Sequence, residues 1–218
     1  VYRTFLAGGV PGPLLTGKPG GEWTATTPRV TVAYKFSPDL NVYVNYSRGD
    51  KPGGFNGAVA ALNGYLDAVT FLPETSRNYE VGLKSNWLDR RVSLNVAIFK
   101  TDIENMQLTT PIQNVNGGAV ASISTNQGSG RSQGVEIEAQ WLATDNLVLG
   151  LNYAMADTRF TKGCDDFQWT LTSGGGVYQP NNPAGTGVTG NNPNGQGTCS
   201  IVGNPFPLAA KNTGSLTA

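Results

Sequence analysis

Apolar and polar residues alternate along most of the chain, which is the pattern of a half-buried β-strand. One face of the first clear strand carries only apolar side chains, at Val30, Val32, Tyr34 and Phe36. Similar runs recur along the sequence and are separated by turn signals. They predict an all-β chain of about eight strands, near residues 1–7, 23–36, 40–48, 74–87, 92–104, 132–141, 147–159 and 210–218.

The connections between these strands alternate between short and long. Those at 37–40, 88–91 and 142–146 are tight, whereas the others are rich in Gly, Asn and Pro and run over about 49–73, 105–131 and 160–209. In an up-and-down sheet, all the tight turns then share one end and all the long loops the other. Outer-membrane barrels have this asymmetry, with short periplasmic turns and long extracellular loops. Loops of such length count against an ordinary soluble domain.

The two faces of the strands differ in chemistry. Each apolar face ends in an aromatic residue directly before a tight turn, at Phe36, Trp87 and Trp141. Such residues form an aromatic girdle where a barrel meets the membrane interface. The opposite face carries charges that a sandwich core would not tolerate but a polar lumen would, at Lys35, Glu80, Lys84, Glu136 and Glu138. The pattern favours a membrane barrel, with a soluble β-sandwich as the alternative.

Composition narrows the possible functions. Fifteen basic residues balance fifteen acidic ones, which argues against nucleic acid as a partner. The chain has no histidine, which excludes Ser-His-Asp catalysis and histidine-bound metals. No residue is singled out as catalytic or metal-binding, and no cofactor is expected.

Two further patterns concern single pairs of side chains. Glu136 and Glu138 have a spacing that overlaps that of glycosidase carboxylates, but a pair of lumen carboxylates neutralised by bases such as Lys84 is the favoured interpretation. Cys164 and Cys199 flank a Gly/Asn/Pro-rich segment and predict a disulfide in an oxidising compartment.

Several segments, in order, resemble TonB-dependent outer-membrane receptors. The strand and loop "LNVYVNYSRGDKPGGFNG" is similar to one that recurs in that family, and "FLPETSRNYEVGLKSNWLDRRVSLNVAIFKTDIENMQ" resembles its most recognisable pair of barrel strands. "SQGVEIEAQW" and "NLVLGLNYAMADTRF" resemble the two strands that follow. "FPLAAKNTGSLTA" is similar to the start of the next strand. The resemblance runs from about residue 23 to residue 218.

This resemblance implies that residues 1–218 are part of one antiparallel, up-and-down transmembrane barrel of the 22-stranded type in the bacterial outer membrane. It implies energy-coupled uptake of a scarce ligand, most often an iron–siderophore complex, and no enzymatic activity. The family's plug domain, through which the TonB energy-transducing complex acts, is expected to be absent from these residues. Alternatives are a passive porin or adhesin-like barrel and a soluble carbohydrate-binding β-protein.

Ligand contacts are expected at the outer mouth, because loops carry specificity on a rigid scaffold. Aromatic and arginine side chains suit flat, anionic or metal-chelate ligands. A packing role within the loop is the alternative for each of them. The candidates are Arg48, Phe55, Tyr65, Phe71, Arg159, Trp169 and Tyr178.

Overall fold

A computed structural model describes the backbone of residues 2–5, 11–15, 21–56, 70–113, 120–165, 168, 172 and 199–218. The strands are β1 (Tyr2–Phe5), β2 (Pro11–Leu15), β3 (Arg29–Ser37), β4 (Leu40–Lys51), β5 (Gly54–Phe55), β6 (Thr70–Phe71), β7 (Glu74–Trp87), β8 (Val92–Gln113), β9 (Val120–Thr144), β10 (Leu147–Gly163) and β11 (Asn212–Thr217). Within these ranges, no helix has the length and apolar character needed to cross a membrane.

Seven strands form one antiparallel sheet in the order β3-β4-β7-β8-β9-β10-β11. Apart from the short β5–β6 pair, which extends the β4–β7 hairpin, each strand lies beside its neighbour in sequence. This is the up-and-down connectivity that the alternation of short and long connections predicts. The outermost strands, β3 and β11, each pair on one side only within the described ranges. The prediction of an antiparallel segment of a larger barrel is confirmed.

The structure differs from the predicted strands in three places, the first of which is that residues 23–28 are not strand, since β3 begins at Arg29. Residues predicted as the first strand form β1, which pairs with β2 in a separate two-stranded sheet, so the main sheet has seven strands rather than eight. Much of the segment predicted as a long loop at 105–131 is a hairpin, because β8 and β9 stay paired as far as Gln113 and Val120. Val, Ile and Thr are frequent in "LTTPIQ" and "VASIST" and favour strands despite their polar neighbours.

The two faces of the sheet separate apolar from polar side chains. Large apolar residues on the first face are exposed, for example Val32 at 67%, Ile98 at 64% and Leu216 at 81%. A soluble domain would cover such a surface, whereas a barrel wall presents it to lipid. We call this face the outward face. The opposite, inner face carries the charged residues Glu80, Lys84, Glu136 and Glu138, by the alternation of each strand.

The tight turns gather at one end of the sheet. Leu88, Asp89 and Arg90 all have positive φ angles, between 52° and 67°, so this turn departs from the usual backbone regions. Trp87 and Trp141 lie on one row of the sheet, because each is the register partner of Val92. Both are about half exposed on the outward face, and Phe36 lies on the same face beside the turn at 38–39.

Candidate functional site

The middle of the inner face is a polar wall built around Tyr43. Its hydroxyl donates a hydrogen bond to Glu80 Oε1 at 2.6 Å, and Lys84 Nζ lies 5.9 Å from the centroid of its ring. The ring covers Gly82, the register partner of Tyr43, where a Cβ atom would collide with it. Glycine therefore lets the tyrosine lie flat against the sheet, between a carboxylate and an ammonium group.

Two carboxylates of this wall have no cationic partner among the residues that the structure describes. Glu138 accepts a hydrogen bond from Asn95 Nδ2 at 3.2 Å, but no Lys or Arg of the described ranges lies within 4.0 Å of Glu136 or Glu138. Lys84 lies on the same row as Glu138 but two strands away. The expected neutralisation by Lys84 is therefore not made by direct contact. These residues line a concave cavity of about 590 Å³.

Three side-chain amides connect neighbouring hairpins at the outer end, beyond the polar wall. Asn56 donates to Ser124 O at 2.6 Å and accepts from Ser124 N at 2.9 Å. Asn126 bonds both backbone polar groups of Leu72, at 2.6 and 2.9 Å. Gln107 Nε2 donates to the carbonyl oxygens of Pro52 and Leu72. We call Asn56, Gln107 and Asn126 the amide brace, since they join the β5–β6 hairpin to the β8–β9 hairpin.

A small apolar core lies beside the amide brace. Met106, Phe160 and Ile201 are buried, and Ile103, Leu108 and Phe206 pack against them. The Phe206 ring lies 5.0 Å from the Phe160 ring and covers Gly130 on the inner side of β9. This apolar core therefore covers the inner face of the sheet near its outer end.

Residues 199–206, here called the strap, deliver two side chains to this core. The strap pairs with the end of β10 through backbone bonds from Gly203 N to Phe160 O and from Phe160 N to Asn204 O. It begins at a disulfide between Cys164 and Cys199, with an S–S distance of 2.10 Å. The disulfide thus fixes the strap where β10 ends.

The candidate ligand residues divide into three groups. Phe55 and Phe71 lie in the β5–β6 hairpin, where Phe55 packs against Trp23 at 5.5 Å between ring centroids and Phe71 covers Gly54. Arg48 and Arg159 lie on the outward face, by the alternation of β4 and β10, so the sheet separates them from the inner wall. The remaining candidates lie outside the described residues, namely Tyr65, Trp169 and Tyr178.

Sequence reasoning did not single out the residues that shape this outer end. They are Trp23, Asn56, Gln107, Asn126 and Phe206. Asn and Gln lie here in segments that read as irregular loop, so no periodic signal marks them. Trp23 falls within a predicted strand but lies in a non-strand segment that packs against the β5–β6 hairpin.

Charged pairs continue the outward face beyond its apolar part, which ends at Tyr46 and Tyr79. Arg48 pairs with Asp50 at 3.0 Å and Arg77 with Glu104 at 2.7 Å. Hydrogen bonds from Arg48 and Thr75 lower the pKa of the Asp50 carboxyl below its usual value. The hydrogen bond from Arg77 likewise lowers the pKa of Glu104. Both carboxylates are therefore ionised at neutral pH.

Comparisons with known proteins agree with this architecture. Residues 2–218 match the family model of the TonB dependent receptor-like β-barrel. The metal-pseudopaline receptor of Pseudomonas aeruginosa is 30% identical over 138 residues, which cover 63% of this chain and 17% of that receptor. The pesticin receptor of Yersinia enterocolitica is 30% identical over 162 residues, which cover 74% of this chain and 22% of that receptor.

A solved structure shares the fold. The siderophore receptor PiuA from Acinetobacter baumannii superposes with a TM-score of 0.55 at 20% identity, covering 86% of this chain and 22% of that one. The chain thus spans about a fifth of the length of the relatives it matches. The family is one of transport receptors in the outer membrane of Gram-negative bacteria. This chain belongs to the TonB-dependent receptor family and forms part of its outer-membrane β-barrel.

Proposed function

We propose that the protein containing this chain is a TonB-dependent receptor that takes up an iron–siderophore complex across the outer membrane. The observation that carries the proposal is the family match over residues 2–218. The names of the similar proteins add the ligand class, since they include a metal-pseudopaline receptor and a catecholate siderophore receptor, the latter 36% identical over 75 residues. The protein binds and moves its ligand and makes or breaks no bond in it.

The outer end of the sheet suits a ligand-recognition role. Its hairpins are joined to each other by the amide brace and fastened to β10 by the strap and the disulfide. Such cross-links hold a binding surface in one shape, which reduces the entropy that is lost when a ligand binds. Trp23, Phe55 and Phe71 supply aromatic surface in the same region, which suits a flat metal chelate.

The inner wall suits an internal partner with cationic side chains. Glu136 and Glu138 have no Lys or Arg within ion-pair distance among the described residues, and burying such carboxylates without partners is costly. A plug domain that offers Arg or Lys to this wall would neutralise them. That domain would also connect the barrel to the TonB complex, so that ligand release depends on energy from the inner membrane.

Uptake by intact cells tests this function. Cells that express the complete gene would be given ⁵⁵Fe complexes of catecholate, hydroxamate and mixed-ligand siderophores, with and without a working TonB protein. We expect one class to accumulate in TonB-positive cells and to bind without accumulating in TonB-negative cells. Equal entry of uncharged sugars in both strains, with no siderophore binding, would instead identify a passive porin.

A further inference from the structure

An arginine row crosses the outward face directly beyond its apolar part. The register places five residues opposite one another on five neighbouring strands, in the order Arg48, Arg77, Asp102, Arg131 and Arg159. Neighbouring strands lie roughly 4.8 Å apart, so the row spans roughly 19 Å. Like charges directly opposite each other destabilise a sheet. The directly opposed pairs Arg48–Arg77 and Arg131–Arg159 therefore repel each other, and the carboxylates beside them offset this only in part.

The position of the arginine row relative to the apolar surface is set by strand alternation. On β7, Arg77 is two residues from Tyr79 and shares its face, and on β4 Arg48 is likewise two residues from Tyr46. The two tyrosine rings lie 5.3 Å apart and mark the outer limit of the apolar surface on β4 and β7, and Lys100, Gln133 and Asp157 continue that level across β8, β9 and β10. Two residues along a strand correspond to roughly 6.6 Å. The row therefore lies at the depth of lipid headgroups rather than of acyl chains.

The carboxylates near the row leave part of its hydrogen-bonding capacity unused. Within the described ranges, Arg77 donates a hydrogen bond only through Nη1, to Glu104 at 2.7 Å. Arg131 donates only through Nε, to Asp102 at 2.9 Å. A guanidinium group carries five N–H donors. The side chains of Arg77 and Arg131 are 35% and 44% exposed, and both lie on the outward face, so this face is where a ligand could reach them.

The other two arginines are more fully engaged. Arg48 gives two nitrogens to Asp50, and Arg159 gives two to Asp157 and a third to Gly203 O. The Asp50 side chain is only 6% exposed, against 37% for Arg48, so the accessible part of that pair is the cation. Arg77 and Arg131 thus have the most unused N–H donors in the row, and Arg48 adds positive charge beside them.

We propose that the arginine row binds phosphate-bearing lipid headgroups of the outer leaflet, with Arg77 and Arg131 as its principal contacts. Arginine matches phosphate through its planar fork of donors and can bind two phosphate oxygens at once. A row continuous with the lipid-facing surface meets headgroups along its length, whereas an anion dissolved in the medium has no reason to bind at that depth. This role goes beyond ligand uptake and does not depend on which siderophore is transported.

The test measures lipid binding by the protein expressed from its complete gene and purified in a nonionic detergent. The probes are diphosphorylated lipid A, the same lipid with both phosphates removed, and inorganic phosphate. The test variant is Arg77→Gln/Arg131→Gln. Its matched control is Arg90→Gln/Arg91→Gln, which removes two exposed arginines at the tight-turn end. A shift in gel mobility on heating verifies that each variant is folded.

We expect the wild type to bind diphosphorylated lipid A and to prefer it to the dephosphorylated lipid. A surface Lys or Arg contributes about fivefold to binding of an anionic membrane, so the test variant should bind roughly 25-fold more weakly. The control should bind within twofold of the wild type, and Arg77→Lys/Arg131→Lys, which keeps the charge and loses the fork, should lie between. Siderophore uptake is measured in parallel and reports on the transport proposal independently.

Three results would overturn the proposal. The dephosphorylated lipid could bind as tightly as the diphosphorylated one, which would mean that the acyl chains alone are recognised. Inorganic phosphate could displace lipid A at equal concentration, which would identify a site for a soluble anion. The folded test variant could also bind like the wild type. If the glutamine variant does not fold, two other measurements decide the question. They are lipid A binding by the lysine variant and the comparison of diphosphorylated with dephosphorylated lipid A on the wild type.

Discussion

The two ends of the sheet are held together in different ways. At the tight-turn end, the chain reverses within a few residues, and bonds between near neighbours such as Ser37 and Asp39 fix each turn. Side-chain bonds between different turns there are exposed ion pairs such as Arg90–Asp39. At the outer end, the contacts join residues far apart in sequence. Asn56 and Ser124 are 68 residues apart, and Cys164 and Cys199 are 35 apart.

This difference follows from the length of the connections. A turn of two or three residues sets the register of its strands by itself. A connection of twenty or more residues leaves many shapes accessible, so the outer end needs an apolar core, a disulfide and side-chain amides to select one. The apolar core, the disulfide and the amide brace can therefore shape a binding surface at the outer end, whereas the tight turns and the strand ladders determine the fold. Each prediction below removes one interaction, from the largest expected effect to the smallest.

Loss of the aromatic ring at the centre of the apolar core should have the largest effect. Phe160→Ala removes a side chain that is only 6% exposed, and comparable substitutions cost about 3 to 5 kcal/mol. Hydrogen exchange should accelerate in β8 near Met106 and in the strap but not in the turns. Val202→Ala, at a strap residue that is 54% exposed, is the control and should change little. Equal rates of hydrogen exchange in the strap of Phe160→Ala and Val202→Ala would show that the apolar core does not hold the strap in place.

Removal of the disulfide should have a slightly smaller effect. In the chain-entropy model a loop of this length contributes roughly 3.5 to 4 kcal/mol to the free energy of unfolding. Cys164→Ser/Cys199→Ser should therefore lower the urea midpoint and expose the strap to protease, while cleavage at the tight turns stays unchanged. Unchanged protease resistance of the strap would mean that its backbone bonds to β10 suffice without the covalent link.

Loss of one member of the amide brace should cost about 1 to 3 kcal/mol, because it leaves the backbone groups of Ser124 without their partner. Asn56→Ala removes both bonds. Asn56→Asp keeps an acceptor for Ser124 N but places a carboxylate oxygen against Ser124 O in a buried site, so it should cost at least as much as the alanine. Urea unfolding in vesicles measures both. Equal free energies of unfolding for the two variants and the wild type would show that the brace is not stabilising.

The smallest effect is expected at the tight-turn end. Arg90 and Asp39 form an ion pair at 2.9 Å, with side chains 67% and 43% exposed. Exposed pairs contribute about 0 to 1 kcal/mol. Arg90→Gln should therefore leave the urea midpoint nearly unchanged. A decrease in the free energy of unfolding as large as that caused by Asn56→Ala would contradict the difference between the two ends.

The sequence predicts most strands of the main sheet but little of the structure at its outer end. The bounds of β7, at 74–87, coincide with the prediction because alternation and turn signals agree there. The outer part of the β8–β9 hairpin resembles a loop in sequence because it is rich in Asn, Gly and Ser. Its ladder also passes an irregularity at Asn105, whose φ is 53°. Alternation is lost at such a bulge, so a pattern read from one side does not continue to the other.

The residues of the outer end illustrate two kinds of missed signal. The amide brace was not predictable, since its bonds depend on where two distant hairpins meet in space. The placement of Arg48 and Arg159 was predictable, because each shares the alternation of apolar residues on its own strand. Their position along the chain places them near the mouth, but their face of the strand points outward.

The assignment of the two faces is the central claim, and nitroxide accessibility tests it most directly. Single cysteines at Ile98 and Leu151 on the outward face and at Ala97 and Asn152 on the inner face would carry the label in the protein expressed from its complete gene and reconstituted in vesicles. We predict that oxygen relaxes the labels at 98 and 151 strongly, while a water-soluble nickel complex relaxes those at 97 and 152. Equal accessibility at neighbouring positions, or the reverse alternation, would contradict the account.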